Sequence, residues 1–142
     1  MAIASLAQRT TTFTTTTTAN VEYRTTASVI ANVLEFSYIS ATATAQQIGL
    51  GRPQAIGLTP VNVLFQRDHP GDPACVTAGS LSWATSPTVP LIFHRRANLS
   101  ATLGVGIVWT FPRGLKIPVS SSLVCWNIST TVASDINCVI DE

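Results

Sequence analysis

Charge is what this sequence has least of. Across 142 residues there are 8 Lys and Arg against 7 Asp and Glu, 11% of the chain, where a soluble globular protein carries roughly 25%. A net charge of +1 supplies no cationic field for a polyanion, which excludes a sequence-independent nucleic-acid binder. Helix signals are missing as well, since no window sustains an i, i+3, i+4, i+7 apolar pattern between caps. No apolar run is long enough for a membrane-spanning helix. Met1 to Arg9 has neither the cationic start nor the apolar run of a secretory leader, so none is expected. The three cysteines, Cys75, Cys125 and Cys138, have no Cys-x-x-Cys spacing. They read as free thiols of a protein made in a reducing cytoplasm, and neither a disulfide framework nor a zinc set is expected. The sequons at Asn98 and Asn127 then have no secretory route to use.

What the chain does have is apolar residues, 46% with a mean hydropathy of +0.34, and a surface built from Thr and Ser. That excludes the disordered class and favours β-structure. A near-neutral, hydroxyl-rich surface is poorly protected against association, which suits a subunit of an assembly better than a free monomer. The length predicts one domain. Residues 10–18, eight Thr around Phe13, cannot specify a strand register. Residues 1–20 are therefore expected to form an extended arm outside a single β-sandwich domain of residues 21–142, with Phe13 as an anchor on a partner.

Period-two patterning supports the sandwich. Leu34 and Phe36 belong to a strand buried on much of both faces, followed by strands at Gln46–Leu50, at Val61–Gln66 with Val61, Val63 and Phe65 inward, and at Val89–His94 behind Pro90. Leu103, Val105, Ile107, Trp109 and Phe111 alternate with Gly104, Gly106, Val108 and Thr110, predicting a core face and a bare outer face close to another sheet or subunit. Pro112-Arg113-Gly114 is expected to turn the chain. Leu123–Ile128 and Val132–Ile140 are expected to pair, with Leu123 in the core and Cys125 opposite Cys138. The expected architecture is an antiparallel β-sandwich, jelly-roll-like, of seven to nine short strands.

Few residues could carry chemistry. Asp68, His69 and Asp72 are the one close acid–histidine cluster, but Pro70 and Gly71 make a turn whose Asp side chains cap local backbone. His94-Arg95-Arg96 is the one basic cluster, fit for an acidic neighbour, a phosphate or solvent at a strand end, and alone it makes no nucleic-acid footprint. Ser120 to Ser122 have no nearby His, and neither a Gly-x-Ser-x-Gly elbow nor a phosphate-cradling loop occurs. Enzyme activity, a cofactor and a metal are not expected. Trp83 and Trp126 could stack a sugar ring, although a Trp within a β-pattern more often packs in a core or an interface.

Residues 95–142 bring a resemblance. Arg96-Ala97-Asn98-Leu99, then Ile107-Val108-Trp109-Thr110-Phe111-Pro112-Arg113-Gly114-Leu115-Lys116-Ile117-Pro118-Val119, then an Asn-containing apolar strand and an acidic-ended closing strand, resemble small β-sandwich structural proteins of tailed bacteriophages. The Pro60 region, the Asp68–Pro73 loop and Pro87 fall where those proteins have Pro- and Asp-rich connections. The resemblance implies a non-enzymatic virion part, a head decoration or cement protein, commonly a homotrimer seated on the major capsid protein lattice at the capsid surface. It implies no catalytic residues, cofactor, nucleic-acid contact or membrane contact. A tail or head–tail connector component and a carbohydrate-binding module are the alternatives. The residues expected at an interface are Phe13, Arg95, Arg96, Gly104, Gly106 and Thr110.

Overall fold

The computed structural model describes residues 2–10, 18–129 and 132–142. Its elements are β1 (Ile3–Arg9), β2 (Thr18–Arg24), β3 (Ala31–Ser40), β4 (Gln46–Gly51), β5 (Asn62–Leu64), β6 (Gln66–Arg67), β7 (Ala78–Ser80), β8 (Arg95–Leu99), β9 (Gly106–Ile117), β10 (Ser122–Asn127) and β11 (Ser134–Asp141). All described pairings are antiparallel, in a first sheet ordered β6-β1-β11-β3-β9 and a second ordered β5-β7-β2-β10-β4-β8. With the short β5, β6 and β7 set aside, four strands remain in each sheet, interleaved along the chain in jelly-roll order. The expected fold class therefore holds. The strand number rises to eleven because two- and three-residue strands trim one side.

Alternation explains how the layers meet. In β11, Ile136, Cys138 and Ile140 are buried while Asp135, Asn137, Val139 and Asp141 face outward, the pattern of a sheet with one solvated face. β10 is buried at all six positions. Leu123 and Cys125 enter the main core with Val21, Tyr23, Phe36 and Ile136. Val124 and Trp126 point the other way, under Trp83, Val89 and Phe93. The second sheet is thus covered on both faces, by the first sheet and by the loops before β8.

A polar knot ties five strands together at one end of the interior. The Tyr38 hydroxyl donates to Gln46 Oε1 at 2.6 Å and accepts from Ser134 Oγ at 2.6 Å and Asn20 Nδ2 at 3.5 Å. Gln46 Nε2 donates to Ser40 Oγ at 2.6 Å, and Asn127 Nδ2 to Gln46 Oε1 at 3.3 Å. All six residues are buried. A register slip of one residue would leave these groups without partners, so the knot selects one register as well as binding the sheets.

Several expectations are corrected. The described part of residues 1–20 is not an arm outside the domain: Ile3–Arg9 is an interior strand of the first sheet, between β6 and β11, with Ala4 and Leu6 buried, and β2 begins at Thr18. Phe13 lies outside the described residues. Leu103 and Gly104 sit in a turn, with Gly104 at φ 76° and Leu103 68% exposed, so the strand starts at Gly106. Val105, Ile107 and Trp109 do pack on the core and Phe111 is buried in it. Pro112-Arg113-Gly114 does not turn the chain. Phe111 to Gly114 bulge out of β9, because Val33 pairs with Leu115 and Glu35 with Thr110, and Leu34 stands half-buried beside that bulge instead of in the core. An edge strand accepts a proline whose missing N–H would have faced solvent.

The last two strands do not pair with each other. β10 lies between β2 and β4, and β11 between β1 and β3, so Cys125 and Cys138 are in different sheets of the core and not cross-strand neighbours. Val61 and Val63 are exposed, leaving Phe65 alone of that trio inside. Val89–His94 is loop, not strand.

Candidate interaction surface

β8 and β9 are the outermost strands of their sheets on the same side of the sandwich. Arg95 and Arg96, adjacent on β8, diverge to opposite faces of that strand. The Arg95 guanidinium stands 5.4 Å from the centre of the Phe111 ring, and that of Arg96 stands 5.5 Å from Phe93. Arg52, just past β4, donates to the Lys116 carbonyl at 2.7 Å. Between the two edges runs an open groove of about 380 Å³ lined by Arg95, Thr110, Phe111, Pro112, Arg113 and Gly114. In the loop that leads into β8 the chain exposes Leu91 and Ile92, 89% and 83% accessible.

This wall suits anionic groups. Guanidinium groups stacked on aromatic rings are pre-positioned and present planar forks to carboxylates. His94 adds no charge at neutral pH, because burial, then Arg52, then Arg95, hold its pKa below the ordinary 6.5. Of the expected interface residues, Arg95 and Thr110 line this groove, while Arg96 stands on the other face of β8 over Phe93. Gly106 has a different neighbour, since a Cβ there would lie 2.6 Å from the Tyr38 carbonyl oxygen of β3. Its bareness serves close approach within the chain's own sheet. Gly104 serves a turn.

Leu91, Ile92, Arg52 and Arg113 were missing from the residues expected at an interface. The signal was present in Pro90 before an apolar pair and His94-Arg95-Arg96 after it. Reading 89–94 as a strand concealed it.

Under the loops, Glu22 is fully buried on the outer face of the second sheet. Its Oε1 accepts from Ser122 Oγ at 2.7 Å and from the Gly57 N–H at 3.2 Å, and its Oε2 accepts from the Trp83 indole at 2.7 Å. The Arg24 guanidinium lies 3.9 Å away. This carboxylate pins the loops that overlie the second sheet, and Trp83 acts as their anchor. Glu142 plays a similar part elsewhere. It accepts from the N–H groups of Val76 and Thr77 at 2.9 and 2.8 Å and from the Cys75 thiol at 3.0 Å.

Asp68, His69 and Asp72 follow β6 on the far side. The Asp68 carboxylate takes the Ser5 hydroxyl at 2.6 Å, and the Asp72 N–H bonds the His69 carbonyl at 3.0 Å, which is turn chemistry. Among the described residues no three His, Cys, Asp or Glu gather as a metal site, and the three cysteines are free and buried. Burial, aided by the Glu142 carboxylate, pushes the Cys75 thiol up to about 12, and burial raises Cys125 and Cys138 further, with the Glu35 charge adding to it at Cys138. Burial likewise pushes the Tyr38 phenol up to about 12, so it remains a neutral hydroxyl in the knot. Trp126 is 1% exposed, and none of the described aromatic side chains is exposed.

No protein-family model matches the chain, and no curated protein or solved structure does either.

Proposed function

We propose that this chain is a structural protein of a phage virion, a capsid decoration or cement protein that associates with itself and sits on the major capsid lattice. The observation that carries the reading is the state of the surface. Fourteen large apolar side chains are exposed among the described residues, among them Leu91, Ile92, Val61, Val63 and Leu64 beside unpaired edge strands, in a chain with 11% charged residues. Exposed apolar side chains gathered with little charge around them mark association surfaces. A subunit buries them against neighbours.

The carbohydrate-binding alternative needs aromatic rings exposed together on a sheet face, and the described rings are all at least half-buried, so it gains no support. The resemblance of residues 95–142 supplies the particle, and the exposed edges supply the need for neighbours. Quantitative mass spectrometry of purified particles of the phage that encodes this chain tests the reading. A head role predicts many copies per particle, lost when heads are separated from the protein by dissociation. Copies confined to tails would move the role to the tail or connector, and absence from particles would overturn it.

A further inference from the structure

The sandwich has two lateral walls of opposite charge. Arg52, Arg95, Arg96, Arg113 and Lys116 lie on or beside the β8–β9 wall. The two ion pairs among the described residues, Arg9–Asp135 and Arg24–Glu22, involve none of them. The other wall is formed by β5 and β6, the last strands of their sheets on the opposite side. Val61, Val63 and Leu64 are 66%, 45% and 52% exposed there, and Asp68 and Asp72 follow on the next turn. Arg67 is the one cation on that wall, and it is turned onto the Asp72 carbonyl at 2.6 Å.

Each wall therefore joins exposed aliphatic side chains to an excess of charge, cationic on β8–β9 and anionic on β5–β6, where Asp68 and Asp72 outnumber Arg67, and each complements the other instead of itself. A two-fold contact lays a patch on its own copy, which would set the arginines of one β8–β9 wall against the same arginines. A head-to-tail contact sets them against carboxylates. The two walls lie about 20 Å or more apart, four strand spacings across the first sheet, too far for one copy to satisfy both within itself.

We infer that copies of this chain associate head to tail, the β8–β9 wall of one on the β5–β6 wall of the next. Leu91 and Ile92 sit against Val61, Val63 and Leu64, and Arg95 faces Asp68 and Asp72, with Arg96 flanking the contact from the other face of β8. This deepens the self-association in the reading above and rests on that part alone. A heterologous contact closes into a ring, the smallest having three members, or continues as a filament.

The test is light scattering on size-fractionated full-length protein over a range of concentrations, in 50 mM and 500 mM salt. The expected product has more than two subunits, and its dissociation constant weakens at least about tenfold at the higher salt, as screening shortens the reach of the charges. Two variants then separate the walls: Ile92→Ser/Arg95→Gln/Arg96→Gln on one, and Leu64→Ser/Asp68→Asn/Asp72→Asn on the other. Circular dichroism melts show that both fold, and single Arg95→Gln and Asp72→Asn variants replace either that does not. Each alone stays monomeric, and an equimolar mixture gives a one-to-one dimer, since each retains the wall the other has lost. Wild type that remains monomeric, a strict dimer, or a mixture that fails to pair would each overturn the contact. Presence of the protein in particles is decided separately, so a monomer found in virions would reject this inference and leave the virion reading standing.

Discussion

Removing the Glu22 carboxylate tests the loop-pinning argument more sharply than any substitution in the aliphatic core. Glu22→Ala leaves three donors without their acceptor in a buried site: the Ser122 hydroxyl, the Gly57 N–H and the Trp83 indole N–H. It also strips the Arg24 guanidinium of the carboxylate 3.9 Å away. Each abandoned buried donor costs about 1–3 kcal/mol, and Arg24, partly exposed and still bonded to the Gly57 carbonyl, adds less than the loss of a fully buried partner would. The losses overlap, because water entering the vacated space re-solvates some donors, so about 3–5 kcal/mol is expected in total. Glu22→Gln retains one acceptor oxygen and turns an NH₂ toward a donor, and about half that loss is expected. Urea unfolding measures both, while hydrogen exchange locates the effect. Amides of the loops at residues 53–61 and 81–94 should lose protection before those of β3 and β11. An Ala variant within about 1 kcal/mol of wild type, or exchange spread evenly over both sheets, would refute the claim that this carboxylate holds the loop layer down.

Three further outcomes follow from the same geometry. Gly106→Ala drives a Cβ to 2.6 Å from the Tyr38 carbonyl oxygen, and overpacking of that kind costs about 1–3 kcal/mol; unchanged urea stability would show that β9 shifts freely on β3. For Glu142, burial pushes the pKa up, but bonds from Cys75, Thr77 and Val76 outweigh it and leave it below the ordinary 4.5. A depressed carboxylate adds stability above its unfolded pKa and loses it as pH falls through the folded value, so the stability gap between wild type and Glu142→Gln should be constant above pH about 5 and narrow below that; a gap that widened on acidification would reverse the sign. The buried thiols should be unreactive toward a chromogenic disulfide at pH 8 in the native protein and number three after denaturation without reductant, and a lower count would reveal an oxidised pair.

How much of this was legible in the sequence depended on whether a residue's role was local. Trp109 and Phe111 announce an inward face by alternation, and the solvated face of β11 shows the same way. β10 was legible as a strand, but its partners were not. Leu123-Val124-Cys125-Trp126 is apolar on both parities because loops cover the outer face, and nothing in those residues says which strands flank them. β1 was hidden by its neighbour: the Thr tract after Arg9 suggested an arm, while Ala4 and Leu6 fill the core only because β11 and β6 take them in. Pro112 and Gly114 signal a break in regular pairing, which a turn and a bulge satisfy equally. The interaction wall was half visible, with Arg95 and Arg96 conspicuous and Leu91 and Ile92 mistaken for strand, since exposure of an apolar pair is set by the loop around it.

The proposed role for this sandwich is to bind a capsid lattice. Co-sedimentation of the purified full-length protein with capsids assembled without it, across a range of concentrations, measures that directly. The account predicts saturable binding at a fixed ratio to the major capsid protein, with decorated capsids more resistant to heat than bare ones. Protein that stays in the supernatant at every concentration, with capsid stability unchanged, would contradict it.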